Sequence, residues 1–191
     1  MPDFIERYRL PDPSLCDQAI SWFRDNQDLH KEGFIGVGDE QFLVNKQVKD
    51  SLDISMTFDF CFNASDCFKS LLDFVWLSVN EYIQKYEELY YSPFQITDRI
   101  NLQFYSPPSG GFKQFHCERL GFHSANRCLV WMIYLNTVED GGGTEFKYYN
   151  HVEKAEKGKL LLWPPDFTHT HRGLPSETEE KYILTGWYEF F

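Results

Sequence analysis

Residues 99–135 read RINLQFYSPPSGGFKQFHCERLGFHSANRCLVWMIYL, and this stretch decides the fold. From Arg99 to Tyr105 the chain alternates, and side chains two apart on a strand share a face. A Pro107–Gly111 turn follows, then a short strand predicted over Phe112–His116, then a long apolar run from Arg127 to Leu135. Further on, Thr144–Tyr149, Lys159–Trp163 and Lys181–Phe190 read as strands, separated by glycine, proline and acidic residues. Many short strands punctuated by turns predict a sandwich or barrel.

Working back from Pro93, the character is helical. Ser65–Leu89 repeats apolar residues at helical spacing (Phe68, Leu72, Val75, Val79, Tyr82), with Ser65 as N-cap. A first helix is predicted from Pro13 or Ser14 to about Asn26, capped by Asp12 or Ser14. Gly33, Gly36 and Gly38 break the chain between them, and Asp53–Phe60 alternates as a strand. The expected architecture is one α+β domain over residues 1–191. Helical support spans about 1–92 and a β core about 93–191, with two helices packed outside a double-stranded β-helix of jelly-roll form.

Composition narrows the function. Aromatic residues make up 18% of the chain, which favours strands. The formal net charge of -11 disfavours nucleic acid and membrane surfaces and suits a basic partner. The five cysteines show no C-x-x-C pair, the N-terminus has no apolar signal core, and no apolar run is long enough to span a bilayer. A reducing, cytoplasmic setting is the simplest expectation.

The chemistry gathers at His116-Cys117-Glu118 and at Thr168-His169-Thr170-His171-Arg172-Gly173. On a strand, positions i and i+2 share one face, so His116 and Glu118 can converge on one ion while Cys117 points away. Two histidines and one carboxylate form the facial triad of non-haem iron(II), leaving other positions open. An H-x-E pair alone is more often surface polarity. His169 competes with His171 for the distal position, because the two share a face. His30, His123 and His151 lack ligand spacing.

Over a longer span the pattern is more specific. From Tyr105 to Trp187 the chain resembles the catalytic core of the 2-oxoglutarate/Fe(II) oxygenases, in particular the prolyl 4-hydroxylase-like branch. The matching segments are Tyr105, the H-x-E pair, the arginine-led strand from Arg127, Asp140-Gly141-Gly142-Gly143-Thr144-Glu145-Phe146, Gly158–Trp163, His171-Arg172-Gly173-Leu174-Pro175, Lys181 and Trp187. The resemblance implies iron held by His116, Glu118 and His171, with His169 behind them. It implies 2-oxoglutarate bound by Lys181 at its far carboxylate and by the hydroxyls of Tyr105 and Thr144. Arg127 and Trp187 become substrate contacts. No catalytic side chain beyond the metal ligands is required. O2 is the second cosubstrate, and ascorbate is a further candidate cofactor. Glu118 departs from the family, since most members have Asp there; a carboxylate of either length disfavours halogenation.

The expected reaction is hydroxylation of a prolyl or other residue in a peptide or protein, for which a basic partner would suit the charge. The alternatives are the same chemistry on a free amino acid or small metabolite, and a non-catalytic jelly-roll binding module.

Overall fold

The computed structural model describes residues 2–37, 41–97 and 99–191. The roll is built from β1 (Glu6–Arg9), β2 (Leu52–Met56), β3 (Ile100–Tyr105), β4 (Arg127–Tyr134), β5 (Thr144–Phe146), β6 (His151–Glu153), β7 (Lys159–Trp163), β8 (His171–Gly173) and β9 (Lys181–Phe190). Among the described residues three helices accompany it: α1 (Ser14–Asp25), α2 (Phe58–Ala64) and α3 (Asp66–Lys85). The large sheet runs β1-β7-β4-β9-β3-β2 with every pairing antiparallel, and Lys31–Glu32 extends it beyond β2. The small sheet is β6-β5-β8, and His116 bridges to His171 on the strand-free side of β8.

β4 shows how one strand serves two cores. Leu129, Trp131 and Ile133 join α1 and α3 in a core outside the large sheet. Val130, Met132 and Tyr134 pack with Leu161, Trp163, Phe146 and Ile183 between the two sheets. A strand buried on both faces reads as a continuous apolar run, which is why Arg127–Leu135 lacks alternation. On β9, Lys181, Ile183, Thr185, Trp187 and Glu189 all reach the cleft between the sheets.

The double-stranded roll with helices outside is the expected architecture, with one helix more than expected. The N-cap position of the first is Pro13, not the expected Asp12 or Ser14, and ahead of it Asp12 Oδ1 accepts from Ser14 N at 3.0 Å and from Ser14 Oγ at 2.6 Å. The strand expected over Asp53–Phe60 ends at Met56, because Thr57 Oγ1 accepts Phe60 N at 3.3 Å and starts α2. A local cap there overrides an alternation that continued by chance. Ser65 caps α3 by accepting Cys67 N, and the expected last turn to Leu89 becomes a 3-10 turn over Glu87–Tyr91. The predicted Phe112–His116 strand reduces to Gly111–Phe112, paired with Lys49–Asp50, plus the single bridge at His116. Thr144–Tyr149 stops at Phe146 in a turn. Gly36 lies in a strand, Ile35–Val37, paired with Gln41–Leu43; Gly38 lies outside the described residues. The Pro107–Gly111 turn is as expected, and a Cβ at Gly110 would stand 2.5 Å from the backbone of Ser106. No helix among the described residues is long and apolar enough to cross a membrane.

Candidate metal centre

His116 and His171 face each other across an antiparallel bridge. His116 N donates to His171 O at 2.9 Å, and His171 N donates to His116 O at 2.9 Å. Directly opposed residues present their side chains on one face, and the ring centroids are 4.5 Å apart. Glu118 follows two residues on, its amide donating to Pro165 O at 2.9 Å. Its Oε1 then sits 3.3 Å from His116 Nε2 and 3.4 Å from His171 Nε2. Phe112 stacks on His116 at 3.7 Å, and Trp163 and Phe146 pack against His171.

The tautomers follow from backbone acceptors. His116 Nδ1 lies 3.0 Å from Gln114 O, and His171 Nδ1 lies 2.9 Å from His169 O. A carbonyl only accepts, so each Nδ1 carries a proton and each ring presents its Nε2 toward Glu118. Burial, and then His116 alongside, push the His171 imidazole below its ordinary pKa, so a proton is poorly received there. Burial opposes ionisation of Glu118, yet the two imidazoles hold its carboxyl well below the usual range. Two imidazole nitrogens and a carboxylate oxygen thus converge on one point, a donor set that suits a cation. Metal bonds of about 2.1 Å at right angles separate neighbouring ligand atoms by roughly 3 Å, close to the spacing seen. The residues fit a metal of the iron type.

The other carboxylate oxygen faces away. Glu118 Oε2 accepts Trp187 Nε1–H at 3.2 Å and lies 3.5 Å from Arg127 Nη1. Arg127 also donates to Glu118 O at 3.1 Å, and its guanidinium lies 3.8 Å over the Trp187 ring. Arg127 reaches the cleft because of a bulge: Arg127 pairs Glu189 while Leu129 pairs Tyr188, leaving Cys128 extra. The bulge turns Arg127 to the face of Val130, three residues on.

The triad and Lys181 line one cleft of about 870 Å3, within the usual range for small-ligand sites. Lys181 is 4% exposed, and burial lowers its ammonium pKa to about 7. Its Nζ lies 5.0 Å from the Tyr105 ring centroid, directly across the β3–β9 ladder, and no carboxylate pairs with it among the described residues. An unpaired buried ammonium facing a cavity is a receptor for an anion. Thr144 lies nearby, its hydroxyl 2.6 Å from that of Tyr134. The glycine turn before it is tight: Gly141 has φ +136°, and a Cβ there would meet Pro175 O at 2.5 Å.

Tyr105 donates its hydroxyl to Gln103 Oε1 at 2.8 Å, Gln103 Nε2 donates to Asp53 Oδ2 at 3.0 Å, and Lys49 Nζ donates to the same oxygen at 2.6 Å. Gln103, Asp53 and Lys49 were missed by sequence reading. Their only signal was a polar residue at an inward position of an alternating strand. His169 turns its ring elsewhere, to Tyr149 Oη at 3.1 Å and Asp3 O at 2.9 Å, while its carbonyl orients His171. His30 bonds Phe23 O and His151 bonds Glu153; His123 lines the cleft.

Residues 100–189 match the sequence profile of the 2OG-Fe(II) oxygenase superfamily, and that span holds all three converging side chains. The chain is 34% identical over 71 residues to prolyl 4-hydroxylase subunit alpha-3 of Mus musculus, and equally so to that of Rattus norvegicus. Each match covers 34% of this chain, and the chain spans only 13% of those relatives. In fold, the chain is similar to a Pseudomonas putida prolyl-4-hydroxylase, with a TM-score of 0.70, 17% identity, and 97% and 91% of the two chains covered. A Trichoplax adhaerens prolyl hydroxylase in complex with a hypoxia inducible factor oxygen degradation domain peptide fragment superposes with a TM-score of 0.76 and 16% identity, over 98% and 84% of the two chains. The profile match over residues 100–189 implies Fe(II) and 2-oxoglutarate.

Proposed function

We propose that this chain is a single oxygenase domain that uses Fe(II), 2-oxoglutarate and O2 to hydroxylate a prolyl residue in a peptide or protein. The observation that carries the reading is the convergence of His116, Glu118 and His171 in the cleft where Lys181 offers an unpaired buried ammonium. His116 and His171 would hold iron through Nε2, and Glu118 through Oε1. The bound iron with its cosubstrates supplies the oxidation of 2-oxoglutarate to succinate and CO2 and the hydroxylation of a substrate carbon.

The protein's part is orientation and exclusion of water. Lys181 meets the far carboxylate of 2-oxoglutarate in a charge-assisted bond. Tyr105 and Thr144 border that end of the cleft with their hydroxyls. Tyr105 is held in place, because Lys49 fixes Asp53, Asp53 fixes the Gln103 amide, and the amide oxygen accepts a hydrogen bond from the phenol. Phe112, Trp163 and Phe146 shield the imidazoles. Arg127 and Trp187 stand at the substrate side of Glu118. A peptide substrate is supported by the complex of the Trichoplax adhaerens relative, and the net charge of -11 favours a basic one. The five thiols are unpaired, which suits a cytoplasmic setting.

The test is a panel of proline-containing peptides, free amino acids and small acids, incubated with Fe(II), 2-oxoglutarate and ascorbate. Succinate release coupled to a one-oxygen mass gain on a prolyl peptide is expected. Coupled turnover on a free amino acid instead would move the substrate class, and substrate oxidation undiminished by omitting 2-oxoglutarate would overturn the chemistry.

A further inference from the structure

We propose that Trp187 and Arg127 are positioning residues that select glutamate, rather than aspartate, at position 118. This rests on the reading of the triad as a metal site. Glu118 divides its two oxygens: Oε1 turns to both imidazoles at 3.3 and 3.4 Å, while Oε2 takes the Trp187 indole N–H at 3.2 Å and lies 3.5 Å from Arg127 Nη1. The donors are themselves fixed. The guanidinium lies on the indole face at 3.8 Å, and a second hydrogen bond ties it to the Glu118 carbonyl at 3.1 Å. The Glu118 backbone is therefore pinned from two directions, by Pro165 O and by Arg127.

With the backbone pinned, the side-chain length sets how far the carboxylate reaches. One methylene fewer draws both oxygens back by roughly 1.5 Å, about one C–C bond. An aspartate could then meet the imidazoles or the indole, but not both at hydrogen-bond length. The glutamate is thus matched to a brace from β4 and β9, and partners that orient a ligand are typically worth about 10–100-fold in metal affinity.

The test is a double-mutant cycle on Co(II) affinity, read by calorimetry and by the visible spectrum of bound Co(II), with no turnover involved. Wild type, Trp187→Phe, Glu118→Asp and the double variant are compared. Trp187→Phe should weaken Co(II) about tenfold and shift its spectrum, and Glu118→Asp should weaken it by a similar factor. In the Glu118→Asp background, Trp187→Phe should cost less than about threefold. If Trp187→Phe fails to fold, Arg127→Gln runs the same cycle through the other donor. Equal losses in both backgrounds, or Glu118→Asp binding Co(II) as tightly as wild type, would overturn the brace while leaving the metal site standing. Co(II) binding that survives His171→Ala unchanged would instead overturn the metal reading, and the brace with it.

Discussion

Lys181 is the residue at which the fold gives up stability for a binding site. Its folded-state pKa of about 7 lies far below the ordinary 10.5, so below pH 7 the folded protein bears the full cost of a buried, unpaired ammonium. Between pH 7 and 10.5 the unfolded chain binds the proton and the folded one does not, so stability contributed through this group rises with pH. Lys181→Met should therefore raise the melting temperature of the metal-free protein at about pH 6.5, with the gain shrinking toward about pH 10. Thermal denaturation across pH checks this. The same variant should bind 2-oxoglutarate more weakly by about 3 kcal/mol, or on the order of a hundredfold. In the wild type the anion should draw a proton onto Lys181, so calorimetry at about pH 8 in buffers of different ionisation enthalpy should report proton uptake. The meeting of His116, Glu118, His171 and Lys181 in one cleft was legible in the sequence, because these residues sit at telling intervals. The Gln103–Asp53–Lys49 chain was not, because it joins β2 and β3 to the Lys49–Asp50 strand, and no spacing announces a contact across strands.

At the scale of elements, two local devices decide what faces the cleft and what does not. The bulge at Cys128 turns Arg127 inward, and nothing in the letters Arg-Cys-Leu-Val distinguishes a bulge from a regular strand. The caps at Thr57 and Ser65 separate α2 from α3, and only Ser65 stood out in advance, since Phe58 and Phe60 continued the rhythm of β2. α3 packs Phe68, Leu72, Val75 and Val79 on the outer core, away from the triad. Ser65→Ala should thus cost about 1 kcal/mol, lowering the melting temperature by roughly 2–4 °C, while Mn(II) affinity stays unchanged. A parallel loss of Mn(II) affinity would show that α3 supports the site directly.

Over the whole molecule, one sheet serves both as a wall of the helical core and as the floor of the cleft. The alternation on β3 and the apolar runs of β4, β7 and β9 between turn residues made that roll readable, whereas the two- and three-residue strands near the cleft mouth carry too few residues to show a period. A ligand that binds only the folded roll stabilises all of it. Mn(II) at about a hundred times its dissociation constant should add about 2.7 kcal/mol, seen as a rise in melting temperature that His171→Ala abolishes. The most direct test of the central claim is calorimetric titration of 2-oxoglutarate into the protein under nitrogen, with and without Mn(II) in place of Fe(II). Tight one-to-one binding that requires the metal is expected, with its loss in both His171→Ala and Lys181→Met. Binding of equal strength without metal, or undiminished in His171→Ala, would contradict it.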